Sequence, residues 1–229
     1  MIDPHQQFHD ALDALDTAFA PLAELSVSVG GCTYCYSAAD LEALAGPVPR
    51  VSDELISCVA HEAFNHWDDF PGLYRRLTPR IVRLLTADEL DHSLVASRLL
   101  TADWQNWPAP ERTALERLWH AWWRSALHTH PGIGHVTDIL GVLSTTEGTS
   151  VPWLAIWAET RTEASDLHLR DALDRWLIED DLADLHLGFY DELHVTPELL
   201  PWLLSLDDGR IGAAQLIEVE RIADSQRAP

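Results

Sequence analysis

All three cysteines of the chain lie between Gly30 and Trp67, and their spacing raises the first chemical question. Cys32-x2-Cys35 follows the pair Gly30-Gly31. Glycine lets the backbone turn tightly, and two thiolates in one turn can serve a single tetrahedral metal ion. Further on, Cys58 and His61 are spaced i,i+3, which places both side chains on one face of a helix. Together the four residues read as a Cys3His set, the ligand count of structural zinc. Glu62 stands next to His61. With a metal held by some of these ligands and one position open, it would serve as a general base.

The helix expected after Ser52 sharpens the question. Ile56, Val59, Ala60, Ala63, Phe64 and Trp67 recur at spacings of three and four and mark its core face. At about 100° per residue, Cys58, His61, Glu62, Asn65 and Asp69 fall on the other side. Free cysteine is usually a small buried hydrophobe, so a cysteine on the polar side calls for an explanation. Shared metal ligation supplies one. The bland alternative is burial of Cys58 under another element, with Cys32 and Cys35 as turn residues or a redox pair. A catalytic dithiol is disfavoured because no βαβ pattern surrounds the motif.

Other constellations are weaker. His61-Glu62-x3-His66 misses the zinc-protease signature, because its histidines sit i,i+5 rather than i,i+4; Glu62 and His66 alone share a face. His5 and His9 pair at i,i+4, with Asp13 one turn further. Glu89/His92 and Asp191/His194 are carboxylate-histidine pairs at i,i+3, but the second lacks the glutamate of a di-iron bundle. His128, His130 and His135 surround Gly132 and Gly134, which read as a helix-to-helix turn. No G-x-S-x-G elbow is present.

The elements that must position these groups read as helices. Asp3-Pro4 caps and opens the first, with the stripe Phe8, Ala11, Leu12, Leu15, Phe19 and an end near Pro21. Leu25–Val29 alternates as a short extended piece. Ser37 and Asp40 form a capping box, and Gly46-Pro47 ends that helix. Pro71 and then Thr78-Pro79 open two further helices. Others are expected near 88–101, 110–128, 135–143, 151–161, 165–178, 181–192, from Thr196-Pro197, and, after Asp208-Gly209, near 210–223, with 225–229 frayed. The sequence therefore predicts an all-α fold, an irregular array of antiparallel helix pairs, in one domain spanning 1–229.

Composition narrows the chemistry. The 229 residues carry 37 acidic and 15 basic side chains, a net charge of −22, and every basic side chain is arginine. Without lysine there is no Schiff-base lysine and no Walker phosphate lysine. The charge argues against nucleic acid or an anionic membrane as partner and favours a basic protein, a cation or a small molecule. Ten tryptophans against one methionine suggest rigid core fillers, or the lining of an apolar pocket. The N-terminal Met1-Ile2-Asp3-Pro4-His5 lacks the basic and apolar regions of a signal peptide. A cytoplasmic location with reduced or metal-bound thiols is expected.

The Cys32-x2-Cys35 turn, Trp67-Asp68-Asp69-Phe70, Leu77-Thr78-Pro79-Arg80 and Trp104-x2-Trp107-Pro108 give the chain a resemblance. It resembles an uncharacterised bacterial all-helical family with an N-terminal Cys-x2-Cys turn. The resemblance implies a recurring scaffold and no site roles. The leading expectation is a non-enzymatic binding or scaffold protein with a structural zinc at Cys32, Cys35, Cys58 and His61. The alternatives are a metal-dependent enzyme using Glu62 and a carrier of an apolar ligand among the tryptophans.

Overall fold

The computed structural model describes residues 3–179, 181–207 and 209–227. The fold is all-α: among these residues eleven α-helices and one two-stranded ribbon are found. No described helix is long and apolar enough to cross a membrane. The chain forms two compact units, Met1–Trp122 and Trp123–Pro229.

The first unit holds α1 (Pro4–Ala23), α2 (Ala38–Ala45), α3 (Asp53–His61), α4 (Phe70–Thr86), α5 (His92–Thr101) and most of α6 (Ala109–Ala126). Local signals start most of these helices. Asp3 accepts from the His5 amide, and Ser37 and Asp40 close a full capping box. Ser52, Asp69 and Asp91 accept from Leu55, Gly72 and Leu94. Each such cap satisfies an amide the helix itself cannot. Of the α1 stripe, Leu12, Leu15 and Phe19 are buried and Phe8 and Ala11 half-buried, and Leu115, Leu118, Trp119 and Trp122 of α6 are buried too.

α4 packs against both α1 and α3. Pro79 lies inside it rather than starting a new helix. An interior proline costs about 3 kcal/mol, but Leu77, Ile81, Val82, Leu84 and Leu85 around it are all buried, and their packing outweighs the local preference. On the same helix the buried Arg76 donates to the carbonyls of Leu22, Leu25, Leu44 and Gly46. One guanidinium thus satisfies chain ends left unpaired where α1 and α2 stop.

The second unit holds α7 (Val136–Glu147), α8 (Val151–Glu159), α9 (Glu163–Ile178), β1 (His186–Leu187), β2 (Leu193–His194), α10 (Thr196–Leu204) and α11 (Ala213–Arg227). The helix expected near 181–192 is not formed. A 3-10 turn at Leu182–Asp184 leads instead into the β1–β2 hairpin. Gly188 at φ 93° and Asp191 at φ 57° hold left-handed conformations that no α-helix contains. Thr196 anchors the hairpin base, accepting from the Leu185 amide and donating to the Leu182 carbonyl. Arg210 repeats the role of Arg76: buried, it donates to Trp157, Ala158 and Thr160 at the end of α8 and pairs with Asp166. α11 runs to Arg227, into the stretch expected to fray; Asp208 and the last two residues of that stretch, 228 and 229, lie outside the described residues.

Candidate metal centre

The 30–67 segment folds back on itself through backbone pairing. Gly31 and Trp67 form an antiparallel bridge; the Cys32 amide donates to the His66 carbonyl at 2.8 Å, and the Asp68 amide to Gly30 at 3.0 Å. Gly30 and Gly31 serve this close approach rather than a left-handed turn. A β-carbon on Gly31 would come within 2.9 Å of the His66 carbonyl oxygen and of the Trp67 ring. Next to it, the amides of Cys35 and Tyr36 both donate to the Cys32 carbonyl, closing the Cys-x2-Cys turn.

This pairing brings Cys32, Cys35 and His66 together, with one ligand atom from each within 4.8 Å of the others. Cys35 is exposed; Cys32 and His66 are half-buried. The His66 Nδ1 is buried and makes no hydrogen bond to any described residue; it lies 3.6 Å from Glu62 Oε1. The Cys35 and Tyr34 amides and the Cys35 thiol all point at the Cys32 sulfur and lower its pKa below that of an ordinary thiol. That hydrogen bond and, after it, burial raise Cys35. Cys32 is therefore the more readily ionised sulfur and Cys35 keeps its proton longer, as in other Cys-x2-Cys pairs.

Beneath the cluster, the buried Tyr36 and Trp67 rings meet with centroids 4.4 Å apart. The Tyr36 hydroxyl donates to Glu62 Oε2 at 3.3 Å, and the Ala63 amide to Glu62 Oε1 at 3.0 Å. Burial first, then the Glu62 charge, pushes the Tyr36 hydroxyl up, so it stays a proton donor. Arg98, itself buried, donates to the Glu62 carbonyl at 2.7 Å and fixes the end of α3.

Cys58 and His61 lie outside this three-ligand group. Both line an open depression of about 650 Å³ with Cys35, Tyr36, Glu54, Ser57 and Glu62. Cys58 is exposed, on the face the helical spacing assigned to it. The Nε2 of His61 accepts the Asp91 amide at 3.0 Å, so that nitrogen is occupied at the start of α5. The helical projection failed beyond residue 61. α3 stops at His61, Glu62 turns extended at ψ 154°, and Phe64–His66 forms a 3-10 turn. Phe64, read as core, is 54 % exposed in consequence, and His66 swings toward the cysteines. Neither glycine nor proline marks this stop in the sequence. The one usable signal is Gly30-Gly31, which suits a strand partner pressed against the Cys-x2-Cys turn.

Several other histidines have partners that their sequence pairings did not name. His92 lies 3.7 Å from Asp88. His130 binds Asp171 at 2.7 Å and meets the His168 ring edge-on, while His168 contacts the Thr129 carbonyl. His194 joins Asp184 and His186 in a second group of three, the other such group among the described residues. Nine of the ten tryptophans are buried in packed cores, Trp123 and Trp157 among them. Compared with protein-family models, with curated proteins and with solved structures, the chain matches none.

Proposed function

We propose that this chain is a non-enzymatic helical binding or scaffold protein whose Cys-x2-Cys turn is stapled to the segment after α3 by a zinc ion on Cys32, Cys35 and His66. One observation carries the reading: two thiols and an imidazole, distant in sequence, present ligand atoms within 4.8 Å of one another. Thiolate and imidazole donors favour zinc over calcium or magnesium. The lowered pKa of Cys32 and the unpartnered Nδ1 of His66 suit ligands that must be deprotonated. Three protein ligands leave a tetrahedral ion a fourth position, with Glu62 the nearest carboxylate to His66 for it. The acidic surface fits a basic protein or small-molecule partner and gives nucleic acid and anionic membranes no cationic footprint.

A second reading, a metal-dependent enzyme, is favoured by the place of Glu62, beside the cluster and on the wall of the depression. There it would exchange a proton with a ligand next to an open metal position.

Elemental analysis of the untagged chain, with thiol titration before and after chelation, tests the centre. Zinc equimolar with the chain is expected, lost in Cys35→Ser and His66→Gln and kept in Cys58→Ser and His61→Gln. Absence of metal from the wild type would remove the proposal. Loss of zinc in the Cys58 and His61 variants would restore the four-ligand set read from the sequence. X-ray absorption then separates the two functional readings: a closed four-ligand shell of protein atoms supports the staple, and an exchangeable water supports the enzyme.

A further inference from the structure

We infer that the β1–β2 hairpin of the second unit is a separate metal site, formed by Asp184, His186 and His194 and suited to a divalent transition-metal ion. The hairpin register sets His186 directly opposite His194, and β-carbons of such a pair lie about 4.5–5.5 Å apart. Their rings stack with centroids 4.6 Å apart and planes 16° from parallel. Asp184 enters from the turn before β1. Its Oδ1 lies 3.5 Å from His194 Nε2, against about 3.4 Å between the ligand atoms of a tetrahedral ion with bonds of about 2.0–2.2 Å. One ligand atom from each of the three residues lies within 4.8 Å of the others.

Two details suit ligation. The Asp184 carbonyl lies 2.9 Å from His186 Nδ1. With the proton on Nδ1 donated to it, Nε2 keeps the lone pair, which is the outer-shell arrangement of ligating histidines. The hairpin base is also held: the Val195 amide donates to the Leu185 carbonyl at 2.9 Å, and Thr196 pins Leu185 from the other side. An ion bound by both lone pairs turns the stacked rings toward each other. Their side chains are 32 % and 43 % exposed, which leaves room for that rotation. Two imidazoles and one carboxylate favour zinc, copper or nickel over calcium or magnesium. Three protein ligands on an exposed ribbon leave further positions open to solvent.

The test titrates nickel(II) into the full-length chain carrying a single equivalent of zinc, which the thiolates of the cysteine centre take first, and follows the histidine ring resonances by NMR. Binding that broadens the His186 and His194 signals is expected. His186→Gln and His194→Gln should each weaken it by more than the 10–100-fold typical of losing an outer-shell partner, with the far-UV circular dichroism unchanged. Cys35→Ser should leave it intact, so failure of this site and failure of the cysteine centre are read separately. Unbroadened His186 and His194 signals in the wild type, or unchanged nickel affinity in both variants, would overturn the inference and leave the stacked pair an exposed Asp-His-His cluster.

Discussion

Gly31→Ala is expected to disable the cysteine centre while the helices stay in place. The added β-carbon would lie 2.9 Å from the His66 carbonyl oxygen and 2.9 Å from the Trp67 ring. Neither obstacle is the end of a flexible chain: one is backbone, and the other is a buried ring packed on Tyr36. To reach ordinary contact, the 66–68 segment must retreat by about 0.5 Å. Metal–ligand distances tolerate about 0.2 Å, so His66 leaves register with Cys32 and Cys35. Overpacking costs about 1–3 kcal/mol, and the stiffer unfolded chain returns about 0.4–1 kcal/mol, for a net loss near 1–2 kcal/mol. The expected loss of zinc affinity is about 10–100-fold, the scale of a lost outer-shell partner. Competition with a chromophoric chelator measures the affinity, and thermal melting measures the stability. Gly30→Ala is the control. Its β-carbon meets chiefly the Asp68 carboxylate, a side chain that can turn away, so near-wild-type zinc binding is expected. Wild-type affinity in Gly31→Ala, or equal damage from Gly30→Ala, would refute the reasoning.

Two further outcomes test the scaffold around the sites. Arg76→Met removes the one guanidinium that serves the carbonyls of Leu22, Leu25, Leu44 and Gly46. Hydrogen bonds to charged groups are worth about 1.5–3 kcal/mol, so a loss of about 3 kcal/mol or more is expected by denaturant unfolding, and an unchanged midpoint would contradict the capping role. In the second unit, burial opposes ionisation of Glu198, but hydrogen bonds from the Ser150 hydroxyl and amide and from Thr149 outweigh it and hold its pKa below the usual 4.5. A carboxyl depressed on folding adds stability above its unfolded pKa and loses it as pH falls through the lower folded value. Acid should therefore destabilise the wild type below about pH 4.5 more than it does Glu198→Gln; parallel melting curves for the two between pH 6 and pH 3 would be evidence against that network.

The centre and the fold were legible to different depths. The Cys-x2-Cys turn and the exposed face of Cys58 follow from spacing alone, because a turn and a helical face are local. The neighbourhood of Glu62 and His66 followed from their i,i+4 spacing and is found at 3.6 Å, but the approach of His66 to the cysteines did not, because the projection assumed a helix running on to Trp67. What ends α3 at His61 is the pairing of Gly31 with Trp67 and the grip of Arg98 on the Glu62 carbonyl, partners that lie far away along the chain. The Asp184, His186 and His194 group was illegible for a related reason. The i,i+3 spacing paired His194 with Asp191, and a helix was expected over 181–192, whereas the left-handed residues Gly188 and Asp191 reverse the chain and set His194 against His186.

By itself, then, the sequence determined the all-α class, the helix starts at Asp3, Ser37 and Ser52, most of the buried stripe of α1 and the two cysteines of the turn. Each rests on contacts within a few residues, where side-chain chemistry and helical period act directly. Only the tertiary structure decided that α4 runs unbroken through Pro79, that α3 ends at His61 and that His66 is the imidazole facing Cys32 and Cys35. These outcomes depend on burial and pairing between segments distant in the chain, and such packing overrides local preference wherever it is worth more than the few kcal/mol that local preference supplies.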